Sequence, residues 1–210
     1  MYYGGIEAGG TKFVCGVSDN ELNLVERISF PTTTPTETMA QVRTFFKKYQ
    51  EELAGIGVGS FGPIDIQTDS LTYGYITTTP KVAWQNYDFV GTLKKALEVP
   101  IAWTTDVNAA CFGEYVVGHG QGLKSVVYYT IGTGVGGGAV LNGRFVEGFS
   151  HPEMGHMLLQ RHQKDAYLGN CPFHGECLEG LAAGPAIEKR LGKKAQNLTA
   201  DDPFWQIEAD

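Results

Sequence analysis

The chain has 210 residues and a formal net charge of -7, with its 16 Lys and Arg dispersed rather than clustered; that balance excludes the basic footprint of a nucleic-acid binder or of a protein held to an anionic membrane. No window approaches the roughly twenty apolar residues of a membrane span, and the opening M-Y-Y-G-G-I-E-A-G-G has no basic segment followed by an apolar run, so a soluble cytoplasmic protein is expected, with neither nucleic acid nor membrane as partner. Four scattered cysteines make no disulfide framework, while 28 glycines point to loops that approach a ligand through their backbone.

In Y-Y-G-G-I-E-A-G-G-T-K-F-V-C-G-V the pattern predicts strand, tight turn, strand, with the turn at Gly9, Gly10, Thr11 and Lys12. Consecutive N–H groups without Cβ obstruction, followed by a hydroxyl and an ammonium, suit a phosphate cradle; an ordinary hairpin with a surface Lys12 fits equally. A P-loop does not, because the order is Gly-Thr-Lys and a strand follows where a helix should. Residues 22–30 continue as a strand. The next segment opens a helix capped by Thr34 or Thr36, with Val42, Phe45, Phe46 and Tyr49 on its apolar side.

Gly55 to Gly59 reads as a buried strand delivering S-F-G-P-I-D. If the sheet is parallel its carboxyl end faces a cleft, which makes Ser60, Gly62 and Pro63 a candidate sugar loop as well as a tight turn. The hydroxyls and aromatics of residues 72–84 have the composition that holds a polyol by stacking and hydrogen bonding. Residues 89–97 form a short helix, and Pro100 to Trp103 a strand ending at T-T-D-V-N-A-A. Asp106 there is either an N-cap or a carboxylate that works on a ligand.

Helix 107–117 gives way to G-H-G-Q-G-L-K, the predicted boundary between a first domain, 1–117, and a second, 118–210. S-V-V-Y-Y-T-I-G-T-G-V-G-G-G-A-V-L then repeats the strand, Gly-Thr turn, strand design, with the turn at Thr133 and Gly134. Gly132, Gly134 and Gly137 match G-x-G-x-x-G, yet a strand follows instead of a helix, so the dinucleotide fingerprint lacks its context. Two such hairpins suggest two related α/β halves that close on one nucleotide. H-P-E-M-G-H and C-P-F-H-G-E-C-L-E next concentrate histidine and cysteine. Cys171, His174 and Cys177 with upstream His156 make a Cys2His2 set suited to tetrahedral Zn2+. Its order is not that of a nucleic-acid-binding finger. His151 and His162 are substitutes for His156; two buried thiols beside solvated histidines, or a Cys171–Cys177 disulfide, are the other readings.

In this one order, G-G-I-E-A-G-G-T-K, G-S-F-G-P, T-D-V-N-A-A, I-G-T-G-V-G-G-G and H-P-E-M-G-H…C-P-F-H-G-E-C-L-E-G closely resemble the sugar kinases of the ROK family, in particular its bacterial fructokinase branch, from Gly4 to about Leu191. The resemblance implies an α/β, actin-like (ribonuclease-H-like) fold of two domains around a cleft. It also implies a truncated C-terminal part, because family members run on past Asp210 into a loop near the adenosine and a last helix, so that much of the adenine pocket is absent. The implied activity is ATP-dependent phosphorylation of a hexose with Mg2+: D-fructose and ATP to fructose 6-phosphate and ADP, with mannose or glucose as other acceptors. A homodimer is implied as well.

By the same resemblance Asp106 is the general base, Gly9, Gly10, Thr11 and Lys12 the first phosphate loop, and Thr133 and Gly134 the second. Glu153, His156 and Glu179 contact the sugar beside Thr105 and the Ser60 to Pro63 loop, and His156 also holds a structural Zn2+ with Cys171, His174 and Cys177. The chain departs from the family in having Thr105 where Asn is usual before the catalytic Asp, and His174 where a third zinc-binding cysteine is usual. Sugar-responsive repressors of the same family carry a helix-turn-helix segment ahead of the kinase-like part, whereas here the first strand begins almost at Met1. A zinc-stabilised fragment without activity is the remaining alternative.

Overall fold

The structure is a computed structural model that describes residues 1–148 and 150–209; Phe149 and Asp210 lie outside the described residues. β1 (Tyr2–Ala8) and β2 (Lys12–Ser18) form the predicted hairpin, and β3 (Leu24–Pro31) adds to it antiparallel. α1 (Pro35–Lys47) starts at Thr34, whose hydroxyl accepts from the Glu37 N–H, so Thr34 and not Thr36 is the cap. Tyr49 lies past the helix end and donates its hydroxyl to Glu26.

β4 (Leu53–Ser60) joins β1 in parallel. The short ribbon β5 (Tyr75–Ile76) with β6 (Tyr87–Asp88) and helix α2 (Phe89–Leu97) lead to β7 (Ile101–Thr105), which is parallel to β4. The first sheet therefore has the order β3-β2-β1-β4-β7. Alternation along β1 turns Gly4, Ile6 and Ala8 to the side of α1, where a Cβ on Gly4 would stand 2.7 Å from Phe46. Phe13, Phe45, Phe46, Phe89, Leu93 and Trp103 fill that layer. Trp84 belongs to it too: it is 1% exposed and donates its indole N–H to the Thr33 carbonyl. The 72–84 segment thus gives its tryptophan to the core and not to a sugar, since a flat apolar ring lowers the free energy more by full burial.

α3 (Asp106–Val116) follows β7 directly. After it β8 (Ser125–Ile131), β9 (Val135–Leu141) and β10 (Arg144–Phe145) form a second antiparallel sheet, and α4 (Leu178–Ala182), α5 (Gly184–Leu191) and α6 (Phe204–Ala209) complete the chain. β9 takes the strand course expected after the glycine run. Among the described residues no helix is long and apolar enough to cross a membrane.

α3 touches β4 and β7 of the first sheet and β8 and β9 of the second. Glycine permits both approaches. A Cβ on Gly59 would lie 2.6 Å from the Ala109 Cβ, and one on Gly138 would lie 2.5 Å from the Val107 carbonyl oxygen. Gly138→Ala is expected to force β9 off the helix, costing about 1–3 kcal/mol and lowering the melting temperature by roughly 2–4 °C for each kcal/mol. A melt unchanged by this substitution would mean that the strand and helix do not abut there.

Candidate active site

Ala8, Ser60 and Thr105 stand side by side at the carboxyl ends of β1, β4 and β7. Neighbouring strands lie about 4.8 Å apart, so the loops after these three residues leave the sheet within one small area. The first is the Gly9–Thr11 turn. Gly9 donates to the Lys12 carbonyl at 3.0 Å, Thr32 N–H to the Thr11 carbonyl at 2.9 Å, and the Thr32 hydroxyl to the Gly9 carbonyl at 2.7 Å. These bonds occupy the Gly9 and Thr11 carbonyls and leave the Gly10 and Thr11 N–H groups without a protein partner among the described residues. Two outward donors remain, the arrangement that receives an anion.

Thr105 caps α3, accepting from the Asn108 N–H through its hydroxyl at 3.2 Å. Asp106 is therefore not the N-cap but the first helical residue, and among the described residues its carboxylate accepts only locally, from Val107 N–H at 2.9 Å. Burial raises the Asp106 pKa above the ordinary carboxylate value, the Val107 and Asp106 amides oppose the rise, and the charges of Glu7 and Glu153 add to it. A carboxylate poised in this way is a better proton acceptor than one held low by a cation.

Asp106 borders a cleft of about 540 Å³ between the two sheets, shared with Gly62, Pro63, Thr105, Glu153, His156 and Glu179. Ser60, expected in the same loop, is fully buried with its hydroxyl donated to the Phe61 carbonyl, and it does not reach the cleft. Thr105 borders the cleft with its hydroxyl engaged as the helix cap. Glu153 lies 3.1 Å from His151 Nε2, and that hydrogen bond, against the opposing effect of burial, keeps its pKa below the ordinary value. His151 is thus the partner of a carboxylate and not a substitute metal ligand. One oxygen of Glu179 accepts from the Val135 N–H at 3.0 Å, tying α4 to the second glycine turn.

That turn is closed by Gly132 donating to the Gly134 carbonyl and is braced by Gly184 donating to the Gly132 carbonyl, both at 2.8 Å. Thr133 opens onto a separate cleft of about 580 Å³ with Gly184, Pro185, Lys194, Gln196 and Trp205. This cleft beside the second turn is walled by helices whose packing no short motif reveals.

Segment 151–177 has little regular structure beyond one turn of 3-10 helix at Met154–His156. The 3-10 turn is seated on β9, and glycine is required at Gly155, where a Cβ would overlap the Val135 carbonyl oxygen. Four ligand atoms, from His156, Cys171, His174 and Cys177, lie within 4.8 Å of one another. His156 Nδ1 is 3.5 Å from the Cys177 sulfur and 3.7 Å from the Cys171 sulfur, which is 3.8 Å from His174 Nδ1. Tetrahedral Zn2+ with bonds near 2.0–2.3 Å sets its ligands about 3.3–3.8 Å apart, so the donor set fits that ion in chemistry and spacing. Both cysteines are free thiols, which rules out the disulfide in this structure. Thr78, Pro80, Val107 and Phe173 also line the cleft that Asp106 borders. Val107 and Phe173 lie inside T-D-V-N-A-A and C-P-F-H-G-E-C without having been singled out there, and Thr78 and Pro80 fall in the segment 72–84 that its composition had marked.

The ROK family model matches residues 3–209. The chain is 51% identical over 208 residues to a fructokinase of Lactococcus lactis subsp. cremoris, covering 99% of this chain and 70% of that protein. Its fold is similar to that of a ROK hexokinase from Thermus thermophilus (TM-score 0.71, 30% identity, 90% of this chain and 62% of that one). It is also similar to a ROK family glucokinase from Streptomyces griseus in complex with glucose and AMPPNP (TM-score 0.69, 27% identity, 90% of this chain and 59% of that one). Coverage of 70% of the fructokinase and 62% of the hexokinase is consistent with the truncated C-terminal part expected from the sequence.

Proposed function

Since this chain belongs to the ROK family, we propose that it is an ATP-dependent hexose kinase whose acceptor is D-fructose, phosphorylated at its 6-hydroxyl, with the reaction carried out in the cytoplasm. The observation that carries this reading is a half-buried Asp106 carboxylate, its pKa raised, facing a cleft between the two sheets. Fructose is named as acceptor on the 51% identity to a fructokinase.

In this mechanism residues 1–117 and 118–210 form the two lobes. The sugar lies in the cleft against Gly62 and Pro63, with hydroxyls bonded by Glu153, His156 and Glu179, and the 6-hydroxyl faces Asp106. Asp106 takes that proton as the oxygen attacks the terminal phosphorus, while the bond from this phosphorus to the bridging oxygen breaks and its electron pair leaves with ADP. The amides of Gly10 and Thr11, with Lys12 on one side and Thr133 and Gly134 on the other, hold the phosphates as charge moves to the leaving group. Thr105 acts as the cap that keeps the Asp106 carboxylate out of the helix hydrogen bonds. The exposed Glu7 carboxylate, whose charge Asp106 feels, is an oxygen ligand of the kind that Mg2+ supplied with ATP would take, where the ion would neutralise phosphate charge.

Zn2+ held by His156, Cys171, His174 and Cys177 supplies structural bracing to the segment that carries Glu153. With Nδ1 of His156 on the metal side, the proton sits on Nε2 and can be donated to a sugar oxygen. Two copies form a dimer in this reading, which light scattering measures. With ATP and Mg2+, the protein is expected to release ADP on addition of fructose, and more slowly with mannose or glucose. Absence of ADP release with every one of these sugars overturns the kinase reading.

A further inference from the structure

We propose that Lys81 is a catalytic residue of this chain that contacts the transferring phosphoryl group and stays on the phosphate of the sugar product; the inference rests on the sugar-kinase reading above. No motif assigns it. Four observations converge on this side chain. Its backbone is fixed by buried groups: Lys81 N–H donates to the Thr79 hydroxyl at 3.3 Å and its carbonyl accepts from Trp84 N–H at 2.8 Å, and Thr79 is 2% and Trp84 1% exposed. The residues just before it, Thr78 and Pro80, line the cleft that holds Asp106.

The Lys81 stem then crosses from this wall to the first glycine turn, where its Cε lies 3.2 Å from the place a Cβ would take on Gly10. A side chain on Gly10 would crowd that path and push the lysine stem aside by a few tenths of an ångström. Finally, Lys81 is half-buried, and among the described residues no carboxylate lies within ion-pairing distance of its ammonium. A cation whose stem reaches the turn with two unpartnered N–H groups, and whose chain neighbours line the cleft, is matched by an anion that arrives with the ligand. Between Asp106 and the Gly9–Thr11 turn, that anion is the phosphoryl group in transit.

During transfer the sugar oxygen gains the bond to phosphorus, its proton goes to Asp106, and the electron pair of the broken phosphorus–oxygen bond leaves with ADP. The Lys81 ammonium keeps its protons and neutralises charge on the non-bridging oxygens before and after the step. Lys81 thereby distinguishes the phosphorylated sugar from the free sugar, a discrimination that neither Glu153 nor His156 makes through hydroxyl contacts.

Calorimetric titration of the wild type, Lys81→Met and Lys81→Arg with fructose and, separately, with fructose 6-phosphate tests this. All three proteins are expected to bind fructose alike. Lys81→Met is expected to bind fructose 6-phosphate about 10–100-fold more weakly, the effect of one charge-assisted hydrogen bond, and to lose about 10²–10³ in kcat; Lys81→Arg recovers part of both. If Lys81→Met binds the phosphorylated sugar as the wild type does, the inference fails while the kinase reading stands. Loss of fructose binding in both variants marks Lys81 as structural and also overturns the inference. A wild type that binds no fructose overturns the kinase reading itself, and the role of Lys81 with it.

Discussion

Asp106→Asn is expected to lower kcat by about 10²–10⁴, the typical contribution of a positioned general base, while the dissociation constant for fructose changes little. Asparagine fills the same volume and its carbonyl oxygen can accept from Val107 N–H as Asp106 does at 2.9 Å, so the helix start survives. What is lost is the ability to take a proton. The same substitution is expected to raise the melting temperature at neutral pH. Burial raises the folded-state pKa of Asp106 above its unfolded value, so stability from this group is present below the unfolded pKa and is lost as pH rises through the folded one. At neutral pH the charged carboxylate is a cost of folding, and asparagine removes it. Turnover, in contrast, falls as pH drops through that raised pKa, because only the ionised form accepts the sugar proton. A variant with more than about a tenth of the wild-type rate, or one that melts well below the wild type at pH 7, contradicts this account.

The second large effect concerns the metal segment. Protein purified without chelator is expected to carry about one zinc per chain, and Cys177→Ser to carry almost none, since a structural site needs all four ligands. Cys177 is fully buried and stands just before α4, and the segment upstream of it has few regular hydrogen bonds to fall back on. The free energy that a structural Zn2+ supplies, about 10–16 kcal/mol in zinc-finger peptides, is as large as the whole stability of many domains. Loss of the ion is therefore expected to expose residues 157–170 to limited proteolysis and to abolish fructose binding, because His156 and Glu153 lose their frame. Zinc-free protein with an intact, protease-resistant segment would contradict the metal assignment.

Much of the first sheet was legible in the chain. The strand–turn–strand pattern around Gly9 to Lys12 gave the β1–β2 hairpin, and the threonine run gave the start of α1 to within Thr34 or Thr36, because each signal acts within a few residues. The Cys2His2 cluster was legible for a similar reason, since ligand chemistry restricts which residues can meet. Sequence alone did not separate a capping Asp106 from a free one, because Thr105 and Asp106 are both good N-caps and the choice depends on where β7 ends. It missed that Ser60 points inward, which follows from the parity of β4 against its neighbours. The segment ending at Trp84 was read as a sugar platform, yet the place of the indole is decided by Phe13, Phe61 and the Thr33 carbonyl, distant in the chain. Lys81 gave no signal, since its meaning depends on Gly10 lying across the fold.

The Glu179 carboxylate that accepts from Val135 N–H belongs to the same short stretch of chain as Cys177, two residues earlier. In the proposed kinase a rigid link of this kind would make carbohydrate grip and nucleotide geometry hostages to each other. Reshaping this loop alone to alter acceptor preference would then disturb the donor as well, and sugar selectivity would have more freedom to vary from the far wall at Gly62, Pro63 and Thr78.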